Sequence, residues 1–328
     1  MNVICFDLEG PLSPQDNAYE LMKLFHGGDK VFEIISRYDD LLTLENRPDY
    51  EPGDTLALIA PFLAYHGINE ENITALARKA TLTNGAANLI SRLSAHGWKI
   101  FCISTSYEQY ALHITQRLGI FSQYVASTSF PLDKISHTLC EEDFHYLEII
   151  EREILSTSSI DDDWIKKKLD HFYLEELPKT NFSLLLKQVR PMGGQRKVEA
   201  LKRFAQAQDE PLSNWVVVGD SITDFKMLQT IEQDGGLAVA FNANEYALPY
   251  STIGLASTHL DDLLTVIETW KKGKRPAVQK LIKGKEKAGG DNNRGHFHWL
   301  SGIEDIDTPL EIHKRIRQIV RDDASKLG

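Results

Sequence analysis

Val3-Ile4-Cys5-Phe6-Asp7-Leu8-Glu9-Gly10 is the stretch on which the fold turns. Four mostly apolar residues make a short buried strand. The chain then places a carboxylate, a spacer, a second carboxylate and a glycine. An ionised carboxylate at the end of a buried strand is costly unless it meets a metal ion or a cation. Gly10 lets the backbone turn sharply or approach a ligand closely. Locally the residues read as a metal-assisted acid pair, with Asp7 as nucleophile and Glu9 as proton carrier. Asp-x-Glu after a strand is also a common solubility device, so the pattern needs support from elsewhere.

That support is Trp215-Val216-Val217-Val218-Gly219-Asp220-Ser221-Ile222-Thr223-Asp224, a second β-branched run that ends in glycine and an acid. A helix starting after Ser221 leaves Asp220 at the strand end and Asp224 in the first helical turn. Two such strands side by side gather Asp7, Glu9, Asp220 and Asp224 around one oxygen-rich pocket, which suits Mg²⁺.

The chain has 328 residues, 42% of them hydrophobic, enough for a large core and more than one module. Lys+Arg 36 against Asp+Glu 47 gives a net charge of −11, which argues against nucleic acid as the partner. An anionic substrate is still compatible, because a bound dication reverses the local field. Cys5, Cys102 and Cys140 show no CxxC spacing, and the first two sit inside apolar strands. The first strand starts at residue 3 and no apolar run has membrane-spanning length, so a soluble cytoplasmic protein without a membrane partner is expected.

Helical spacing of Ala18, Leu21, Met22 and Phe25 starts a helical block at Ser13, with Gly27-Gly28 as its first stop. Further helices follow the loop at 46–53. Residues 98–103 form a second buried strand ending in Ser104-Thr105-Ser106, and a short third strand lies near Val125. The acidic runs Glu141-Glu142-Asp143 and Asp161-Asp162-Asp163 suit solvated helix starts. The expected organisation is core 1–12, helical cap 13–80, core 81–133, second helical insertion 134–185, core 186–270 and C-terminal extension 271–328. Strand–helix alternation makes this an α/β fold: a doubly wound, Rossmann-like parallel sheet with an inserted α-helical cap and a second insertion. In such folds the site collects at the carboxyl ends of the strands.

Together these residues resemble the haloacid dehalogenase superfamily of aspartate-nucleophile phosphatases. Asp7-Leu8-Glu9-Gly10-Pro11-Leu12 is similar to its first motif, usually Asp-x-Asp-x-Thr-Leu. Ser104 matches the hydroxyl of the second motif and Lys197 the lysine of the third. Gly219-Asp220-Ser221-Ile222-Thr223-Asp224 matches the fourth. The chain looks most like the phosphoserine-phosphatase branch, which inserts a helical cap between the first and second motifs. Some members of that branch, including one with homoserine phosphotransferase activity, also carry Asp-Leu-Glu-Gly. The long second insertion and the tail resemble an uncharacterised archaeal group.

The resemblance implies an aspartyl-phosphate on Asp7 and proton transfer by Glu9. It implies Mg²⁺ held by Asp7, the Glu9 carbonyl and Asp220, with Asp224 on a ligand water or orienting a neighbour. Ser104 and Lys197 would hold the phosphoryl oxygens. Gly10, Thr105 and the cap residues Asp16, Arg37 and Arg47 are the candidates for binding the rest of a small phosphorylated metabolite. Read from the residues alone, Ser104 serves equally as a helix cap. Arg196 competes with Lys197 as the phosphate cation. Three features depart from the family: Glu9 replaces the usual second Asp, Pro11 removes a backbone donor beside the phosphate, and Gln15 and Asp16 stand where the branch has a cap Glu that reads the substrate ammonium.

The leading expectation is a Mg²⁺-dependent phosphomonoesterase with a phosphoserine-like substrate. Alternatives are phosphotransfer to an alcohol such as homoserine, or a regulatory or assembly subunit on the same scaffold. Beyond the resemblance, lysines and an arginine between 271 and 287 read as a solvated or self-docking basic stretch. His296 and His298 share a strand face, although metal binding there needs further ligands. Ile312, Ile316, Ile319 and Val320 predict a final amphipathic helix packed on the body.

Overall fold

The computed structural model describes residues 2–45, 47, 50–137, 139–157, 159–291, 293–303, 305–322 and 324. Asn46, Pro48 and Asp49 of the expected loop, and the last residues of the C-terminal extension, lie outside the described residues. The strands are β1 (Val3–Phe6), β2 (Lys99–Tyr107), β3 (Val125–Thr128), β4 (Trp215–Gly219), β5 (Leu237–Phe241), β6 (Ile253–Ala256) and β7 (His296–Trp299). They form one sheet in the order β3-β2-β1-β4-β5-β6-β7. Neighbours run parallel except β6 and β7, which are antiparallel. This is the expected doubly wound α/β fold.

Every residue of β1, β4, β5 and β6 is buried. That explains their unbroken apolar sequences: helices cover both faces, so neither face needs polar residues. Alternate side chains divide between the faces. Ile4, Phe6, Val216 and Val218 join one core cluster, while Val3, Cys5, Trp215 and Val217 join the other. After β1 the chain builds β2 and β3 on one side, then crosses to β4 on the other. The crevice between the carboxyl ends of β1 and β4 is therefore the topological switch point, where open α/β sheets bind ligands.

The helices Asn17–Met22, Gly28–Leu44, Thr55–Tyr65 and Glu70–Lys79 lie between β1 and β2. The helices His145–Ser156, Asp162–His171 and Phe182–Gln188 lie between β3 and β4. These two insertions pack on each other and share one core. Tyr38 stacks on Tyr173 with ring centroids 5.7 Å apart, and Phe62 meets Phe172 at 6.0 Å. The Tyr38 hydroxyl donates to Asp170 at 2.6 Å. Each insertion carries an apolar helix face, and each covers that of the other.

Local details differ from expectation. The first helix starts at Asn17, because Asp16 caps it by accepting from the Tyr19 amide, and the chain turns through Gly10–Gln15 first. β2 runs on to Tyr107. The tail supplies β7 at the sheet edge and the helix Asp307–Arg321. That helix is not oriented as its isoleucines predict. Ile316 is buried, but Ile319 is 50% exposed, and His313, Arg317 and Arg321 occupy the buried side. Among the described residues no helix is long and apolar enough to cross a membrane.

Candidate active site

Register puts the acids together. Phe6 pairs with Val218, and the Asp7 amide donates to the Val218 carbonyl at 2.8 Å. Asp7 is thus the first residue beyond β1, while Gly219 and Asp220 emerge beside it from β4. Asp7, Asp220 and Asp224 are buried, and one carboxylate oxygen from each lies within 4.8 Å of the others. Gly10 adopts φ +103°, and a Cβ there would meet the Asp220 carboxylate at 2.5 Å. Only glycine allows the turn after Asp7 to close against that acid.

Lys197 is fully buried and bridges two of the acids. Its Nζ donates to Asp7 Oδ1 and to Asp224 Oδ1, each at 2.7 Å. It stands in the first turn of the helix Gln195–Ala207, where a cation opposes the helix dipole; the two carboxylates explain why it is there. Burial pushes the Asp7 carboxyl up from its ordinary value, the neighbouring Asp224 adds to this, and Lys197 pulls against both. Asp224 is also committed to the loop, its Oδ2 accepting from the Asp220 amide at 3.0 Å and the Ser221 amide at 3.2 Å. That suits Asp224 to orienting Lys197 and the loop. Arg196, the competing cation, turns instead to Asp54 in the cap.

Glu9 accepts from the Asn17 amide at 2.7 Å. Burial, with help from the nearby Asp16 carboxylate, pushes its carboxyl up to about 8. Ser104 is fully buried and exchanges hydrogen bonds with Ser106, hydroxyl to hydroxyl at 3.0 Å and Ser106 amide to Ser104 hydroxyl at 3.1 Å. The nearby Ser106 hydroxyl and the Asn17 amide act against the rise of the Glu9 carboxyl. Because β2 continues to Tyr107, Ser104 caps no helix.

A cavity of about 70 Å³ opens at this point. Asp7, Glu9, Asp16, Thr105 and Arg321 line it from the core and its flanks, and Phe32, Ser36, Asp39 and Leu56 line it from the cap. Thr105 donates its hydroxyl to the Met192 carbonyl at 3.1 Å. Ser104 and Lys197 do not line the cavity. Arg37 and Arg47, expected at the substrate, do not line it either. Arg37 pairs with Asp162 at 2.7 Å and Arg47 approaches Asp170 at 3.8 Å, so both join the cap to the second insertion. Their partners sit in a segment whose packing against the cap was not readable in the sequence.

No protein-family model and no curated protein sequence matches the chain. Solved structures do. The gene product AF1437 of Archaeoglobus fulgidus superposes with a TM-score of 0.83 at 28% identity, over 100% of this chain and 99% of that one. A phospho-aspartyl intermediate analogue of phosphoserine phosphatase superposes with a TM-score of 0.53 at 17% identity, over 80% of this chain and 97% of that one. An apo phosphoserine phosphatase gives 0.52 at 16% identity, over 80% and 98%. The fold is that of phosphoserine phosphatases.

The residues present fit a hard dication. Asp220 Oδ1 is buried without a hydrogen-bond partner among the described residues, beside two further carboxylates. A carboxylate oxygen left bare in a dry site is costly. An all-oxygen donor set suits Mg²⁺ better than a softer metal. At the sheet edge, by contrast, His298 faces His313, whose Nδ1 accepts from the Ala243 amide, and among the described residues neither His296 nor His298 belongs to a cluster of three or more metal-ligating side chains.

Sequence reasoning missed two residues of this site. Arg317 and Arg321, from the final helix, both donate to Asp220 Oδ2, Arg321 at 2.8 Å. The available signal was His313, Arg317 and Arg321 at intervals of four, which places them on one helix face.

Proposed function

We propose that the chain is a Mg²⁺-dependent phosphomonoesterase of the haloacid dehalogenase type, acting on a small phosphoserine-like metabolite. The observation that carries this reading is Asp7 at the switch point, paired with Lys197 at 2.7 Å and set beside Asp220 with its unpartnered buried oxygen. The fold shared with phosphoserine phosphatases supports it.

An Asp7 carboxylate oxygen attacks phosphorus, the bond to the leaving oxygen breaks, and Glu9 gives that oxygen its proton. Glu9, now ionised, takes a proton from a water that attacks the aspartyl-phosphate, and inorganic phosphate leaves as Asp7 is restored. Lys197 keeps Asp7 in place and offsets its negative charge. Asp7, Asp220 and the Glu9 carbonyl would hold Mg²⁺, which when bound draws charge from the phosphoryl oxygens. The small cavity limits the substrate to a compact molecule, and Asp16 and Asp39 on its wall favour one carrying an amino group.

The test is a broad panel of phosphomonoesters with and without Mg²⁺. Phosphate release that requires the ion is expected; none from any member of the panel sinks the proposal. Adding serine or homoserine as acceptor separates hydrolysis from transfer, and free phosphate as the main product is the expected outcome.

Glu9 sets the pH response. As general acid it must be protonated, so kcat/KM falls as pH rises through about 8, and Glu9→Gln removes that limb along with most of the activity. Stability follows the same shift with the opposite consequence for the variant. Below the ordinary value of 4.5 both folded and unfolded states hold the proton and the group contributes nothing. Between 4.5 and about 8 the unfolded chain loses it first, so the native state is penalised increasingly, and the penalty is complete above about 8. Glu9→Gln is therefore expected to raise Tm at alkaline pH and to change it little near the acid end. A stabilisation independent of pH would exclude Glu9 as the buried acid responsible.

A further inference from the structure

The cavity is walled by Asp7, Glu9, Asp16 and Asp39, a poor setting for a phosphate dianion. Lys197 does not remedy this, since its Nζ is spent on Asp7 and Asp224 and it does not reach the cavity wall. Among the described lining residues one is a cation, and it comes from the last helix of the chain: Arg321.

Its guanidinium is held on two sides. Nε donates to the Pro14 carbonyl at 3.2 Å and Nη1 to Asp220 Oδ2 at 2.8 Å. Nη2 has no partner among the described residues. The side chain is only 5% exposed, and Asp16, Glu9 and Asp7 are close enough to act on its charge. Arg317, one turn earlier, anchors the helix by bonding Asp220 Oδ2, the Asp220 carbonyl and the Asn242 carbonyl. A planar fork with one arm fixed, on a residue that lines the cavity, is prepared to take an oxyanion.

We propose that Arg321 is a substrate-contacting residue: the C-terminal extension completes the active site in cis by supplying the guanidinium that binds the phosphoryl oxygens. Arg317 is a positioning residue for it. This rests on the phosphomonoesterase reading for its substrate, but not for its ligand chemistry, which inorganic phosphate probes directly.

The experiment is calorimetric titration of the full-length protein with inorganic phosphate in the presence of Mg²⁺, comparing wild type, Arg321→Gln and Arg321→Lys, with a parallel Mg²⁺ titration. Losing a charge-assisted bond to phosphate should weaken phosphate binding about 10- to 100-fold in Arg321→Gln. KM for the best phosphomonoester should rise in step, with kcat less affected, and Mg²⁺ affinity should move less than about threefold. Arg321→Lys should recover part of the phosphate affinity, because it keeps the charge and loses the fork. Unchanged phosphate affinity in folded Arg321→Gln overturns the proposal. So does a fall in Mg²⁺ affinity large enough to account for the whole effect, since Arg321 would then only position Asp220. If Arg321→Gln does not fold, phosphate affinity of Arg321→Lys equal to wild type overturns it, and a weakened one supports it. A wild type that binds phosphate yet hydrolyses no phosphomonoester defeats the proposed activity while the Arg321 comparison stands. A wild type that binds no phosphate defeats both.

Discussion

Asp7→Asn is expected to lower kcat by about 10⁴-fold or more while leaving the fold intact. The substitution is nearly isosteric and keeps an oxygen to accept from Lys197, which now meets Asp7 Oδ1 at 2.7 Å. What it removes is the anionic oxygen that must bond to phosphorus. Because burial and Asp224 make the ionised Asp7 costly, the variant should melt at or above the wild-type temperature, which separates lost chemistry from lost structure. Two measurements check this: turnover of the best substrate from the panel, and transfer of labelled phosphate to the protein from that substrate. Both should vanish together. Turnover that survives in Asp7→Asn removes Asp7 from the nucleophile's role, and label that survives places the phosphoryl group on another residue.

Much of the site was legible because it lies in local sequence. A buried strand ending in an acid carries its own demand for a counter-charge, and two such strands, at Asp7 and Asp220, already imply neighbouring positions in a parallel sheet. Lys197 was marked by standing where the helix dipole disfavours it. What could not be read was long-range. Arg37 and Arg47 looked like cap cations facing a substrate, but their partners Asp162 and Asp170 come from an insertion whose docking on the cap has no local signature. Ser104 was placed by motif, yet β2 extends past it and turns its hydroxyl to Ser106. The final helix was misjudged for a physical reason. Apolar periodicity assumes that the buried side of a helix is the greasy one. Here the buried side faces Asp220, so Arg317 and Arg321 go in and Ile319 stays out.

Lys197→Met is expected to destabilise the protein by about 3–5 kcal/mol, the cost of leaving buried carboxylates without their cation. Lys197 is wholly buried, and Met fills a similar volume, so packing loss contributes little. In the wild type the lysine's pKa lies above its ordinary 10.5, raised by Asp224 and Asp7 against the opposing effect of burial. A raised lysine stabilises fully below the unfolded value and loses that contribution only as pH climbs through the folded one, so across the neutral range its contribution is constant. The variant should behave differently. Without Lys197 the Asp7 carboxyl, already raised by burial and by Asp224, rises further, and protonating it relieves the repulsion. The deficit should therefore be smallest near about pH 5 and grow toward about pH 9, in urea melts run with a chelator present. Adding Mg²⁺ at the higher pH should recover part of it, because an ion on Asp7 and Asp220 replaces some of the missing charge. A deficit below about 1 kcal/mol, or one that is flat with pH, would mean that the carboxylates are not held as a charged cluster by this lysine. In that case the phosphoryl chemistry assigned to Asp7 would need a different counter-charge, and Arg317 and Arg321, already on Asp220, are the cations positioned to supply it.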